Sequence, residues 1–214
     1  MENQIPRIII GRLPLYLRAL IRLQNDGYGY ASSHELGKLL DISAAQIRKD
    51  LSHFGELGKR GKGYEIDFLI CKLNQILNTE SVWKMIVIGA GDLGSGLARY
   101  GGFLNRGFQV SAIFDKDPQK VGRKIGNLFA KDIREMSDYV KENEIKIAIL
   151  AIPAEYAHDV IDDLVNAGIT AILNYAPIYI KTPEGVQIEH IDPAVHLQKL
   201  SYFIKYKKDP KICE

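Results

Sequence analysis

The residues with the clearest chemical capacity fall into two groups. One is the hexapeptide GAGDLG, formed by Gly89, Ala90, Gly91, Asp92, Leu93 and Gly94, with Asp115 standing 21 residues beyond Gly94. Glycines spaced G-x-G-x-x-G directly after an apolar run suit a pyrophosphate. The first permits a tight turn, the second lets the backbone approach the ligand, and the third lets the following helix pack on the strand. Free N–H groups at that helix start would face the phosphates. Asp115 would accept hydrogen bonds from adenine-ribose hydroxyls and repel a 2′-phosphate, favouring NAD(H) over NADP(H). Lys116, Lys120 and Arg123 lie beside it and oppose that preference. Asp92 suits such a loop only with its carboxylate turned to solvent.

The second group is basic. From Ser43 to Gly63 the cations Arg48, Lys49, Lys59, Arg60 and Lys62 outnumber the acids Asp50 and Glu56. The net charge of the 214-residue chain is only +2, so any contact with nucleic acid depends on this local excess.

Catalytic candidates are few. His34, His53, His158, His190 and His196 show no metal-ligand spacing, and no Tyr-x-x-x-Lys pair follows a strand. His158 and His190 read as solvated or internally satisfied. The residues alone leave open a nucleotide-sensing DNA-binding protein, an NAD-dependent dehydrogenase with an accessory basic domain, and a repressor sensing another adenine ligand such as CoA.

The elements that must position these groups are legible in the periodicity. Apolar residues at Leu13, Tyr16, Leu17, Leu20, Ile21 and Leu23 predict a helix from Leu13 to Asn25, with Pro14 in its first turn. Ser32 and Glu35 have capping-box spacing ahead of Leu36, Leu39 and Leu40, and Ser43 and Gln46 repeat it. With Ala44, Ile47, Leu51 and Phe54 turned inward, the last two helices read as a helix-turn-helix. Its outward set is Ser43, Ala45, Gln46, Arg48, Lys49 and Ser52. Gln46 is expected to read adenine and Arg48 or Lys49 guanine in a major groove. Glycines 55, 58, 61 and 63 leave room for a hairpin wing whose Lys59, Arg60 and Lys62 reach phosphates or a minor groove. A further helix over Asp67 to Leu77 closes a small domain, and Asn78 to Trp83 is the expected linker.

Beyond it the period changes. Short Ile- and Val-rich runs at Lys84–Gly89, Gln109–Asp115, Lys146–Pro153 and Ile169–Tyr175 alternate with helical stretches near Asp92–Leu104, Asp132–Asn143 and Glu155–Ala167. That pattern predicts a parallel sheet covered on both faces. Asp192 is an expected helix N-cap with Pro193 at the first helical position, and Leu197, Leu200, Phe203 and Ile204 form an apolar stripe. Such a helix either folds back on its own domain or enters a partner. The predicted fold class is α/β: a winged-helix DNA-binding domain over residues 1–80, a Rossmann-like domain over 81–192, and a C-terminal helix and tail over 193–214.

Composition is that of an ordinary globular chain, 46% hydrophobic and 25% charged. Cys71 and Cys213 are far apart and fit a reduced cytoplasmic setting. Arg7, Arg12, Arg18 and Arg22 interrupt the apolar N-terminus before a signal-peptide core forms, and no run reaches transmembrane length.

The segments QIRKDLSHFGELGKRGKGY, GAGDLGSGLARY, IFDKDPQKVG, AIPAE, GITAILNYAP and HIDPAVHLQKLSYF resemble, in this order, the Rex redox-sensing repressors. The resemblance implies a bacterial homodimer that represses transcription from operator DNA. NADH would release it and NAD+ would compete weakly, without catalysis and without a metal. It implies a pyrophosphate loop at Gly89 to Gly94, a ribose acid at Asp115, a further ligand-facing residue at Pro153 and a nicotinamide-side tyrosine at Tyr100. It also implies a switch contact in which Arg18 joins Tyr100 and Asp192, and a C-terminal helix swapped into the partner. Two departures stand out: Leu57 replaces the aromatic residue usual in the wing motif, and Pro193 replaces a larger apolar residue.

Overall fold

The computed structural model describes residues 5–59, 61–181 and 183–206. The chain divides into two compact units, Met1–Ser81 and Val82–Glu214. The contact pattern therefore groups the C-terminal helix with the second unit.

In the first unit, α1 (Arg7–Ile10) leads into α2 (Leu13–Asn25), the helix expected from periodicity. Pro14 sits in its first turn, where a missing N–H costs nothing. A short strand β1 (Tyr30–Ala31) precedes α3 (Ser33–Leu40). There the Ser32 hydroxyl accepts from the Glu35 N–H at 3.1 Å, and the Glu35 carboxylate accepts from the Ser32 N–H at 2.7 Å. That is a complete capping box. At α4 (Ala44–Ser52) only half of the expected box forms: the Ser43 hydroxyl accepts from the Gln46 N–H at 3.2 Å, while the Gln46 side chain turns elsewhere.

Past α4 the chain turns back on itself. The Lys59 N–H donates to Gly63 O at 2.8 Å, and β2 (Tyr64–Glu65) then pairs antiparallel with β1. The wing is thus a tight loop whose exit strand is anchored to the strand ahead of α3. Helix α5 (Ile66–Ile76) closes the unit. Leu13, Tyr16, Leu20, Leu36, Ile47, Leu51, Ile66, Leu69 and Leu73 are fully buried in one core. Leu57 joins this core and is itself buried, so its departure from the wing motif is a packing substitution. Leu39 is exposed instead of lining the core, because α3 turns that position outward.

The second unit is built on a seven-stranded sheet in the order β5-β6-β4-β3-β7-β8-β9. Its strands are β3 (Trp83–Ile88), β4 (Phe108–Asp115), β5 (Lys124–Ile125), β6 (Leu128–Asp132), β7 (Ile147–Leu150), β8 (Ala171–Asn174) and β9 (Gln187–His190). All pairings are parallel except β5 with β6. Successive residues of β3 point to opposite faces. Ile86 and Ile88 pack with α7 (Met136–Glu142) and α8 (Ala157–Ala167). Met85 and Val87 belong to the core that receives α6 (Asp92–Ala98). The sheet is accordingly buried on both sides, and its strands read as near-continuous apolar runs.

Three expected helices are shorter than their periodicity suggested. The stretch near Asp92–Leu104 is α6 followed by a 3₁₀ turn at Gly101–Arg106. Shorter 3₁₀ turns, Ile133–Glu135 and Ala154–Tyr156, precede α7 and α8. Trp83, expected in the linker, opens β3. At the C-terminus α9 (Pro193–Tyr206) begins as expected, with the Asp192 carboxylate accepting from the Ala194 N–H at 2.8 Å. Leu197, Leu200, Phe203 and Ile204 of α9 are all exposed, so the helix does not bury its apolar stripe in its own chain.

Candidate functional site

The glycine-rich turn joins β3 to α6 at the carboxyl edge of the sheet. Strand order reverses between β3 and β7, and that switch point is where open α/β sheets bind ligands. Gly89 has φ +101°, and a Cβ there would stand 2.2 Å from Ala151 O, so no other residue fits. A Cβ on Gly94 would stand 1.8 Å from Gly89 O, which fixes the close approach of α6 to the turn. Gly91 faces open space, leaving its backbone approachable. The three glycines thus have three separate reasons. Asp92 and Leu93 are exposed in the first turn of α6, so Asp92 is turned to solvent as such a loop requires.

Asp115 ends β4 and is buried. Its carboxylate accepts from the Ala90 N–H at 2.7 Å, the Asp117 N–H at 2.9 Å and the Lys120 ammonium at 3.2 Å. Burial pushes its pKa up, but the two backbone donors and Lys120 outweigh that and hold it below the ordinary carboxylate range. It is therefore an anion tied to the glycine turn itself. Pro153 follows β7 and leads into the turn Ala154–Tyr156, on the far side of β3 from Asp115.

Of the residues given to the switch contact, Arg18 is an exposed residue of α2 in the first unit. Tyr100 and Asp192 belong to the second. The Tyr100 hydroxyl accepts from Arg106 at 3.1 Å and its ring meets Phe103 edge-on, while Asp192 caps α9. Tyr100 and Asp192 are each held within their own segment.

In the first unit, Ala45, Arg48, Lys49 and Ser52 lie on the exposed side of α4, with Ser43 at its cap. An open groove of about 710 Å³ runs between α4 and the wing, and Arg48, Ser52, Lys59 and Lys62 line it. Cations far apart in sequence are thereby gathered around one concavity. Arg60 lies outside the described residues. Arg48 also donates to the Ser33 hydroxyl at 2.9 Å, which ties α4 to the start of α3.

At Gln46 one N–H of the side-chain amide donates to Asp50 at 2.7 Å, so part of its donor capacity is spent within the protein, while its second N–H and its carbonyl oxygen take no part in that bond. Asp50 was the feature that sequence reasoning missed. It is completely buried, and it accepts from Arg12 at 2.6 and 2.7 Å and from the Tyr16 hydroxyl at 2.5 Å. Burial pushes its carboxyl up, but Arg12, Tyr16 and Gln46 together overcome this and hold it below the usual range. The signal was available: Asp50 stands three residues after Ile47 and one before Leu51, on the inward face. Its burial removes one acid from the surface charge, so the exposed face of α4 is more basic than counting suggested.

A second missed residue is Asn174, also buried at the end of β8. Its amide donates to Ala176 O and Ile178 O and meets His190 Nδ1 at 3.0 Å, bracing the loop that follows β8 against β9. His190, stacked on Tyr179, is an internally satisfied histidine. Among the described residues no cluster of His, Cys, Asp or Glu could hold a metal ion, and no helix is long and apolar enough to cross a membrane. Cys71 is exposed and unpaired, and Cys213 lies outside the described residues.

Two family descriptions match separate parts of the chain. Residues 4–52 match a family described as "Putative DNA-binding protein N-terminus", and residues 80–178 match "CoA binding domain". The redox-sensing transcriptional repressor Rex of Chloroflexus aurantiacus is 44% identical over 95% of this chain and 96% of its own. The repressor RSP, solved with β-NAD+ and operator DNA, superposes with a TM-score of 0.88 at 36% identity, covering 98% of this chain and all of that one. The same repressor solved with β-NADH gives 0.87 at 35% identity, covering 97% of each chain.

Proposed function

The chain belongs to the Rex family of redox-sensing transcriptional repressors, and from that premise we propose how its two sites work together. The protein is a DNA-binding regulator, not an enzyme. It binds operator DNA and takes NADH and NAD+ as ligands, so that the nucleotide is read as a signal and leaves unchanged. The observation that carries this reading is the pairing, in one chain, of a capped helix-turn-helix with a basic wing and a glycine turn held by a buried acid.

The division of labour follows. Residues 1–80 are the DNA-binding domain, residues 81–192 bind the nucleotide, and residues 193–214 serve dimerisation. Ala45, Arg48, Lys49 and Ser52 face the major groove, and Lys59, Arg60 and Lys62 contact the backbone or an adjacent minor groove. Gly89 to Gly94 cradle the pyrophosphate, and Asp115 takes the ribose, with Pro153 and Tyr100 along the bound dinucleotide. The exposed stripe of α9 supports insertion of that helix into a second copy, giving a homodimer whose symmetry matches a palindromic operator. NADH binding changes the spacing of the paired recognition helices through a contact of Arg18 with Tyr100 and Asp192. The compartment is the bacterial cytoplasm, where NADH and DNA are both present.

Calorimetric titration with NADH, NAD+ and CoA tests the ligand assignment. NADH is expected to bind tightest, NAD+ more weakly, and CoA not at micromolar concentration. Tight CoA binding with no response to NADH would replace the redox reading. For the switch, Arg18→Ala is expected to weaken NADH-driven release of DNA; unchanged NADH affinity and unchanged release would remove Arg18 from the mechanism.

A further inference from the structure

The three cations beside Asp115 pose a problem for selectivity. A carboxylate at that position suits the 2′-hydroxyl of NADH, but a neighbouring cation is the usual means of accepting the 2′-phosphate of NADPH. Lys116 directly follows the acid and is exposed. By sequence alone it is the side chain best placed to undo the preference.

The structure gives each nearby lysine a different partner. Lys120 is on Asp115 at 3.2 Å and within 3.9 Å of Asp117. Lys116 instead lies over the ring of Tyr156, its ammonium 3.0 Å from the ring centroid. Tyr156 comes from the turn after β7, whereas Lys116 follows β4, and β3 lies between these two strands. The lysine therefore reaches over the end of β3, toward the β7 side of the sheet, and is held there by the negative face of an aromatic ring.

We propose that Tyr156 is a specificity-determining residue for the nucleotide: by holding Lys116 on its ring, it withholds that cation from a 2′-phosphate and widens the preference for NADH over NADPH. This rests on the NADH reading above and adds a second determinant to Asp115. A 2′-phosphate can still draw Lys116 away, but only by breaking the cation–π contact. At an exposed site such a contact amounts to about two- to fivefold in an equilibrium constant.

The test is the ratio of NADPH to NADH affinity, measured by calorimetry on the full-length protein. Using a ratio cancels any general loss of packing at the adenosine end. Tyr156→Leu is expected to raise the NADPH:NADH ratio about two- to fivefold, and Tyr156→Phe, which keeps the ring, is expected to leave it unchanged. Adding Lys116→Met to Tyr156→Leu is expected to cancel the gain. An unchanged ratio in Tyr156→Leu, with NADH still bound, overturns the proposal. So does a raised ratio that survives in the double variant, since another cation would then be responsible. If Tyr156→Leu does not fold, Tyr156→Met takes its place, with the same outcomes deciding. Failure of the unmodified protein to bind either nucleotide would overturn the NADH reading itself, and this one with it.

Discussion

Asp50 and Asp115 are the same residue type, both buried and both held below the ordinary carboxylate range, yet they belong to different kinds of site. Asp50 is bonded by Arg12, Tyr16 and Gln46, two of them more than 30 residues away in sequence. Every donor is a side chain of the first unit, with Tyr16 itself fully buried in the core. Asp115 is bonded by the N–H groups of Ala90 and Asp117 and by a partly exposed lysine, all at the carboxyl edge of the sheet. Its partners are the glycine turn and its own loop. A buried carboxylate closed in by distant side chains orients a helix; one held by loop backbone at an open edge is available to a ligand. Burial and pKa alone do not tell the two apart.

Removing the cation from each carboxylate tests this contrast most severely. Arg12→Met leaves a fully buried anion its Tyr16 and Gln46 donors but no counter-charge, and is expected to cost the first unit about 3 kcal/mol, read by chemical denaturation. Lys120→Met leaves Asp115 its two backbone donors and, with Lys120 partly exposed, is expected to cost at most about 1 kcal/mol. Equal losses would erase the distinction. Acid approaches the same point more gently. Because the folded pKa of Asp50 is depressed, its contribution to stability is complete above the ordinary carboxylate range and is lost as pH falls through the folded value. Asp50→Asn is expected to flatten that acid limb in a pH series of unfolding curves.

Asp115→Asn reverses the pattern. The fold and operator binding are expected to persist, while NADH affinity falls about tenfold to a hundredfold, the range for losing hydrogen bonds to a charged group. The smallest effects separate the wing from α4. Lys62→Ala is expected to weaken binding evenly across DNA sequences and to flatten the slope of log affinity against log salt by about 0.9. Gln46→Ala is expected to change base preference by less than about 1 kcal/mol, below the range for a bidentate base contact. A loss of adenine preference at one operator position would restore Gln46 as a reader.

What was legible in the sequence follows from the range of the interactions involved. The helix Leu13–Asn25, the capping box at Ser32, the apolar runs of the central strands and the glycine turn are set by residues within a few positions of one another. Periodicity and spacing therefore exposed them. The pairing of Tyr30–Ala31 with Tyr64–Glu65, and of Lys124–Ile125 with the five-residue Leu128–Asp132, was missed because a two-residue strand carries no period and leaves its partner without a visible mate. The strand Gln187–His190 was missed because Ile188 is its one apolar residue, so this edge strand has none of the continuous apolar run that marks the central strands. Gln46 was misread for a related reason: its spacing to Ser43 suggested a reciprocal cap, while its actual partner is one helical turn ahead. The Arg12–Asp50 pair spans 38 residues, and only the folding of the first unit around its shared core brings the start of α2 to Asp50.

The regulatory response comes down to one nucleotide controlling one DNA complex. Fluorescence anisotropy of a labelled operator, saturated with the unmodified protein and titrated with NADH and, separately, with NAD+, measures that directly. The expected result is release of the operator by NADH at concentrations where NAD+ leaves the complex intact. An operator complex that responds identically to both nucleotides, or to neither, would contradict it.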